Sequence, residues 1–325
     1  MKKLHKIIIL LIFLSTYLLI FPPSAAAQTG AGLTISPPLS EIDLTAGKVY
    51  DGIIKVNNPT KEIIEVYPIA RNFSASGESG TPTIESPGED ATYGLASWIS
   101  FSQSKIALTP EQDIEFKYKI TVPDDAEPGG HYGSVLFASQ PPKPEEKTTQ
   151  VALASMVGSL ILAKVPGNIV EKAEIKEFAA NRSIYIKPPV SFTLRIINSG
   201  NVHLKPKGEI TISNWGKTKN TLDINSKKGS ILPNSTRKFD ELNFEQGKWD
   251  FGKFTVKLVA TYGEKNQPLT SQITFWIIPW WLITKIAVLL AVIIFFIVRK
   301  IRKNRRNNKN LPNFEPPLKK RVILQ

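Results

Sequence analysis

The residues that could perform acid–base or metal chemistry are few and far apart. The chain of 325 residues has three histidines and no cysteine, which excludes thiolate metal sites, iron–sulfur clusters and cysteine nucleophiles. His5 lies in the N-terminal segment, and His131 and His203 each adjoin a glycine- or asparagine-rich turn. The motifs of serine hydrolases, zinc proteases and phosphate-binding loops do not occur in the sequence. We therefore predict no enzyme, no metal centre and no cofactor.

An acidic turn at residues 124–127 offers a local set of oxygen ligands. Hard cations such as Ca²⁺ bind several carboxylates and carbonyls of one loop. The prolines at 123 and 128 and the glycine pair that follows explain the same segment as a chain reversal between two strands. Because the spacing fits no calcium loop, we favour the solvated turn.

The excess positive charge lies at the two ends of the chain and not in the central segment that would hold any site. The 41 Lys and Arg exceed the 28 Asp and Glu by a formal net charge of +13, which by itself suggests nucleic acid as a partner. Residues 1–27 hold three of these units and residues 299–325 hold nine, so the segment between them is nearly neutral. Nucleic acid is therefore not a predicted partner.

The first 27 residues have the pattern of a secretory signal peptide. Three lysines precede an apolar run from Ile7 to Phe21, and Ala25-Ala26-Ala27 before Gln28 fits a cleavage site. The apolar run is shorter than the roughly 20 residues of a membrane span. A retained N-terminal anchor is the alternative.

A second apolar block, residues 275–298, predicts one transmembrane helix, and Pro279 is placed to begin it. Lys285 lies near the outer end, where its stem can return the ammonium to the headgroups; a functional intramembrane lysine is the alternative. Aromatic and basic residues would anchor the helix at the two membrane surfaces: Trp276, Trp280, Trp281, Lys285, Arg299, Lys300, Arg302 and Lys303.

The basic run after the span also predicts the orientation. Lys and Arg directly after a membrane helix mark the cytoplasmic side, so residues 299–325 form a cytoplasmic tail and residues 28 to about 272 lie outside. No cysteine follows the signal peptide for lipid attachment. The helix itself is therefore the predicted anchor of a single-pass cell-membrane protein.

The exterior shows the period-two alternation of half-buried strands. Ile114, Phe116, Tyr118 and Ile120 alternate with charged residues, and the pattern recurs around residues 192–196 and 254–258. Turn signals separate these runs, and no long segment has helical periodicity. The predicted fold class is all-β, with two tandem immunoglobulin-like β-sandwiches followed by one transmembrane α-helix.

A weak internal repeat sets the predicted domain limits. The strand and turn at residues 53–59 resemble those at residues 194–200, with Asn57 opposite Asn198. We therefore predict a first sandwich at residues 28–166 and a second at residues 167–274. Residues 74–97, rich in Gly, Ser, Pro and Thr, are interpreted as a surface loop.

One apolar segment, residues 151–165, has two interpretations. It carries one charge in 15 residues. Such low charge is typical of a buried strand, here the last strand of the first sandwich, covered on both faces or by the second sandwich. The functional alternative is a strand edge that pairs with a strand from a partner. The residues that would form this partner site are Val151, Leu153, Leu160 and Leu162.

Several short motifs of the exterior carry a family resemblance. They are Leu33-Thr34-Ile35-Ser36-Pro37-Pro38, residues 52–58, Trp98-Ile99-Ser100-Phe101, Leu108-Thr109-Pro110 and residues 120–133. With the order of the segments, they resemble the WxL-interacting surface proteins of Gram-positive bacteria and, more distantly, the N-terminal immunoglobulin-like domain of pilus chaperones. The resemblance implies peptidoglycan as the ligand of the first domain and partner surface proteins or host ligands for the second. It assigns no binding residue.

The predicted function is noncovalent binding at the outer face of the membrane. The ligand would be cell-wall polymer, a partner surface protein or both, held through exposed loops at residues 74–97 and 140–149. The alternative is a membrane-tethered assembly chaperone or accessory subunit that acts by β-strand augmentation. An extracytoplasmic hydrolase is disfavoured because the catalytic motifs are missing.

Overall fold

The structure is a computed structural model that describes residues 32–86, 92–141, 156–187, 189–245, 247 and 250–308. The predicted signal peptide, residues 142–155 and the end of the tail from residue 309 lie outside the described residues. Within the described part, the secondary structure is eighteen β-strands, one short 3₁₀ helix and one long C-terminal α-helix. The predicted all-β class with a C-terminal helix is thus confirmed.

The chain forms two compact units that meet, along the sequence, between Val170 and Glu171; residues 76–81 are grouped with the second unit. The strands up to this point are β1 (Thr34–Ser36), β2 (Leu39–Asp43), β3 (Val49–Asn57), β4 (Ile64–Ser76), β5 (Thr81–Ile84), β6 (Ile99–Phe101), β7 (Ile106–Leu108), β8 (Asp113–Thr121), β9 (Gly129–Ala138) and β10 (Met156–Val165). The following strands are β11 (Ala173–Ala180), β12 (Ile184–Tyr185), β13 (Val190–Asn198), β14 (Lys207–Asn214), β15 (Lys217–Asp223), β16 (Ser235–Phe244), β17 (Gly252–Tyr262) and β18 (Gln267–Ile277). The long helix is α1 (Trp280–Asn308).

The first unit is a sandwich of two sheets. One sheet has the order β1-β3-β8-β6, and the other has the order β2-β10-β9-β4-β5, with β7 also paired to β4. The N-terminal segment contributes to both sheets, because β1 pairs antiparallel with β3 and β2 pairs parallel with β10. This is the strand order of an immunoglobulin-like sandwich.

The second unit repeats the same plan. One sheet has the order β11-β13-β16, and the other has the order β12-β18-β17-β14-β15. As β2 does with β10 in the first unit, the short second strand of this unit, β12, pairs parallel with the last strand, β18. The two units are therefore copies of one topology, although the predicted limits at residues 28–166 and 167–274 stay predictions.

Alternating burial builds both cores. In β8, Phe116, Tyr118 and Ile120 are buried and the intervening residues are exposed. Phe116 packs edge-on against Phe137 of β9, with the ring centroids 5.1 Å apart. Burial of each such side chain contributes about 1.5–3 kcal/mol, so the alternation predicted from the sequence is also the main source of stability.

The predicted surface loop at residues 74–97 is wrong in part. β4 continues to Ser76 and returns through a turn into β5, with Gly77 and Gly80 at positive φ. Leu95 is fully buried in the core cluster of the first unit. A short hairpin needs turn glycines and no apolar face of its own, which is why its polar composition resembles that of a loop.

The front of the predicted membrane helix is also corrected. Phe275 and Ile277 belong to β18 and are buried in the sandwich core, and α1 begins only at Trp280, after Pro279. The apolar run thus serves a strand and then a helix, and proline separates the two because it interrupts a strand and suits a helix start. Among the described residues, Trp280–Asn304 is the one helix long and apolar enough to cross a membrane.

Candidate functional site

The described part of the apolar segment, Met156–Val165, forms β10, and β10 is paired over different lengths on its two sides. β9 pairs with β10 along its whole length, from Met156 to Val165. On the other side, β2 pairs only with Leu160 to Lys164. On this second side, the first four residues, Met156–Ser159, are therefore paired with no strand among the described residues. We call these four residues the open edge of β10.

The backbone groups that point outward from this edge can be identified. The Leu160 N–H donates to the Pro38 carbonyl at 3.0 Å, and the Leu44 N–H donates to the Lys164 carbonyl at 2.8 Å. Successive strand residues direct their N–H and C=O groups to opposite sides, so Met156 and Gly158 point the same way as Leu160. The open edge thus offers two donors and two acceptors along roughly 13 Å of strand.

Apolar side chains flank the open edge on its outer face. Met156 and Leu39 are 44% and 40% exposed, and the half-buried Leu160, on the same face of β10 as Met156, lies directly opposite Leu39 in the β2–β10 ladder. Ser159 instead faces the core and is buried. The edge therefore combines unpaired backbone with an apolar strip, as strand-accepting sites do.

Gly158 keeps this edge flat. A Cβ atom at this position would collide with the Val135 carbonyl and with the Leu136 backbone of β9. Only glycine allows such a close approach of two strands. The outer face above Gly158 is consequently free of a side chain from β10.

A partly desolvated cation lies in the same cross-strand row. Arg71 of β4 is opposite Ser134 of β9, which is opposite Leu160. Burial lowers the pKa of the Arg71 guanidinium, which donates to the Ala70 carbonyl at 2.9 Å and forms no ion pair with a described acid. It provides positive charge beside the apolar strip.

The four residues predicted for partner binding fall in different places. Val151 and Leu153 lie outside the described residues, Leu160 borders the open edge, and Leu162 is only 3% exposed. Leu162 is therefore a buried residue, not a surface contact. Met156 and Leu39 were not among the predicted site residues; for Leu39, the available signal was an apolar residue directly after Pro37-Pro38.

His131, a candidate for acid–base chemistry, contacts backbone carbonyls and an aromatic ring of its own sandwich. The ring nitrogens of His131 lie 3.3 Å from the Gly94 carbonyl and 2.9 Å from the Glu127 carbonyl, and the ring packs on Trp98. No group of three His, Asp or Glu side chains that could hold a metal ion occurs among the described residues, including the 124–127 turn.

The predicted membrane anchors divide between strand and helix. Trp280 and Trp281 begin α1, whereas Trp276 lies on the outer face of β18. The Lys285 ammonium lies 5.0 Å from the centre of the Trp281 ring, so it points back toward the start of the helix. Arg299, Lys300, Arg302 and Lys303 lie exposed in the C-terminal turns of α1.

The class of protein follows from these features: two immunoglobulin-like sandwiches with one C-terminal helix able to cross a membrane. Comparison with known protein families finds no match, and comparison with curated proteins finds none either. The resemblance to the WxL-interacting proteins therefore stays a prediction.

Several solved structures are similar to the chain. The class 5 fimbriae chaperone CfaA is 18% identical, with a TM-score of 0.37 over 76% of this chain and 99% of its own. The E. coli chaperone DraB is 13% identical, with a TM-score of 0.35 over 75% and 96%. The Pseudomonas aeruginosa CupB2 chaperone is 8% identical, with a TM-score of 0.32 over 74% and 98%. Such values transfer no residue role to this chain.

Proposed function

We propose that the protein is a membrane-tethered binding protein whose first sandwich pairs with a strand of a partner surface protein at the open edge of β10. The observation that carries this proposal is the unpaired side of Met156 and Gly158 beside the exposed Met156 and Leu39. An uncovered strand edge is a template for strand addition, because it offers a row of free donors and acceptors.

The geometry also limits the partner. Its strand would lie beside Met156–Ser159 and end where β2 begins, since Leu39 and the residues after it already occupy the edge from Leu160 onward. Apolar side chains on its outer face would contact Met156 and Leu160. A nearby carboxylate would be attracted to Arg71, whose charge is poorly solvated.

The C-terminal helix would locate this binding at the membrane. α1 is long and apolar enough to cross a membrane, and its basic C-terminal turns favour a cytoplasmic end. The sandwiches would then lie outside and hold the partner close to the membrane. Cell-wall polymer as a ligand stays a prediction from the sequence.

A site-directed cross-link tests the proposal. The chain has no cysteine, so Met156→Cys can carry a thiol-linked photoactivatable group in cells that produce the full-length protein. Val49→Cys is the matched control, because Val49 is an exposed apolar residue of the other sheet. We expect a protein segment of alternating apolar residues to cross-link at position 156 and not at position 49.

The pair Met156→Ala and Met156→Pro separates strand pairing from side-chain contact, because both variants lose the apolar side chain and only proline also loses an outward N–H. Met156→Pro removes one outward N–H, which β9 does not use, so folding should persist while capture of the cross-linked partner is lost. Ser159→Ala on the core side should capture normally. Equal products at positions 156 and 49, a glycan product at position 156, or equal capture by Met156→Pro and Met156→Ala would contradict the proposal.

A further inference from the structure

One end of the second sandwich meets the start of α1. Gly252 at the beginning of β17 pairs with Ile277 at the end of β18, and Asn214 at the end of β14 pairs with Phe254. The β14–β15 turn therefore lies at the same end of the sandwich as the exit of the chain into α1. Only Ile278 and Pro279 separate β18 from the helix.

Large apolar side chains are exposed at this end. They come from the strand β12, the β14–β15 turn, the residue directly before β17 and the end of β18, and they are Ile184, Trp215, Phe251 and Trp276. We call these four residues the helix-end rim. The rim is continuous with the helix, because the Phe251 ring packs edge-on against Trp281 at a centroid distance of 6.1 Å.

Trp215 is the residue of the rim that folding explains least. It occupies a two-residue turn in which Trp215 has φ 52° and Gly216 has φ 75°. Such turns favour Asn-Gly, and a bulky residue in the left-handed region is disfavoured by roughly 1 kcal/mol or more. The side chain is also 78% exposed, so neither the turn nor the core accounts for a tryptophan here.

Most of the exposed charged groups around the rim are cations. Lys187, Lys217 and Lys253 are exposed, and the Lys253 backbone pairs with Trp276. The acid Asp250 is buried and its carboxylate lies 2.7 Å from the Lys219 ammonium. Glu245 is the exposed acid of this end among the described residues, so cations predominate at the surface.

We propose that the helix-end rim docks the second sandwich onto the lipid headgroups, with Trp215 as an anchor separate from the helix. Tryptophan and lysine are the side chains that settle at a membrane interface, the first through its amphipathic ring and the second through anionic lipid. A protein partner is disfavoured, because a helix that enters the bilayer two residues after β18 leaves this end little distance from the lipid. The proposal rests on the membrane tether of the proposed function and does not depend on strand pairing at β10.

Fluorescence quenching in vesicles tests this docking. The full-length protein is reconstituted into phosphatidylcholine vesicles that contain phosphatidylglycerol and a lipid-borne nitroxide quencher. A fluorophore on Thr218→Cys reports on the rim side of β15, and one on Asp223→Cys reports on the opposite end of the same strand. We expect quenching at position 218 and none at position 223.

The tryptophan is then replaced by the residue that the turn prefers. Trp215→Asn should keep or raise the melting temperature, because Asn-Gly suits two positive φ values, while it reduces quenching at position 218. Phe251→Ser is a second variant with the same expected loss. Val259→Thr is the matched control, since Val259 is an exposed apolar residue of β17 toward its far end. Equal quenching at positions 218 and 223, or unchanged quenching in both rim variants, would overturn the proposal.

Discussion

A buried asparagine closes the same corner in each sandwich. The Asn58 amide donates to the carbonyls of Glu62, Leu108 and Thr109, and its oxygen accepts the Thr60 N–H at 3.0 Å. The Asn198 amide likewise donates to two carbonyls, and its oxygen accepts the Gly200 N–H at 2.9 Å. Both side chains are fully buried, so each satisfies backbone groups that water cannot reach.

Removal of the Asn58 side chain should destabilise the folded protein. Asn58→Ala leaves the Leu108 carbonyl and its neighbours without their donor, so we expect a loss of about 3 kcal/mol in the free energy of unfolding. Chemical denaturation of the full-length protein in detergent measures it. The control is Asn57→Ala, whose side chain makes one exposed hydrogen bond to Asp113. Similar losses in the two variants would contradict this role for Asn58.

The same pair of asparagines shows how far the repeat could be predicted. The sequence placed Asn57 opposite Asn198, and the structure makes Asn58 the equivalent, because Val56 and Ile196 are the buried residues two positions earlier. A strand has a side-chain period of two, so a slip of one residue exchanges its faces. Two adjacent asparagines left that slip invisible in the sequence.

Burial of Tyr118 predicts a pH dependence. Its ring covers Gly52, where a Cβ would collide with it, and burial raises the pKa of its phenol above the ordinary value. The phenol of the unfolded chain ionises at about pH 10, whereas the folded phenol stays protonated to a higher pH. The contribution of the buried phenol to the free energy of unfolding is therefore complete below about pH 10 and is lost as the pH rises through the folded pKa. Melting temperatures of Tyr118→Phe should fall less than wild type across this range. An equal fall would exclude the effect.

At the scale of elements, strands with one solvent-exposed face could be predicted from the sequence. Elements could not be told apart where a strand and a membrane helix have the same apolar composition. β8 follows its alternation residue by residue. Phe275 to Ile277 could not be separated from the helix, because an apolar run in a strand and one in a membrane helix have the same composition. The open edge was also invisible, since it depends on where β2 stops along β10, a pairing between residues more than a hundred positions apart.

The close contact of β9 and β10 makes a prediction for glycine. Gly158→Ala places a methyl group against the Val135 carbonyl, and we expect a loss of about 1–3 kcal/mol in the free energy of unfolding. Ser159→Ala is the control on the neighbouring residue. Its buried hydroxyl has no hydrogen-bond partner among the described residues, so its removal should be neutral or stabilising. A stable Gly158→Ala protein would show that the strands can separate here without cost.

At the scale of the whole molecule, the proposed function depends on the side of the membrane on which the two sandwiches lie. The near neutrality of residues 28–298 and the nine positive units after residue 298 are one property, the placement of charge beside the predicted span. The absence of cysteine from the chain makes this orientation directly measurable. A single introduced thiol has no background from native ones.

We expect a membrane-impermeant thiol reagent to label Thr218→Cys in intact cells, because this residue is exposed on the second sandwich. Lys303→Cys, in the C-terminal turns of α1, should be labelled only after the cells are permeabilised. Lys303 lies among arginines and lysines that anionic lipid and the positive-inside bias would hold in the cytoplasm in the proposed orientation. Labelling of Lys303→Cys in intact cells with Thr218→Cys protected would reverse the topology and move the open edge of β10 to the cytoplasm, where no surface protein could reach it.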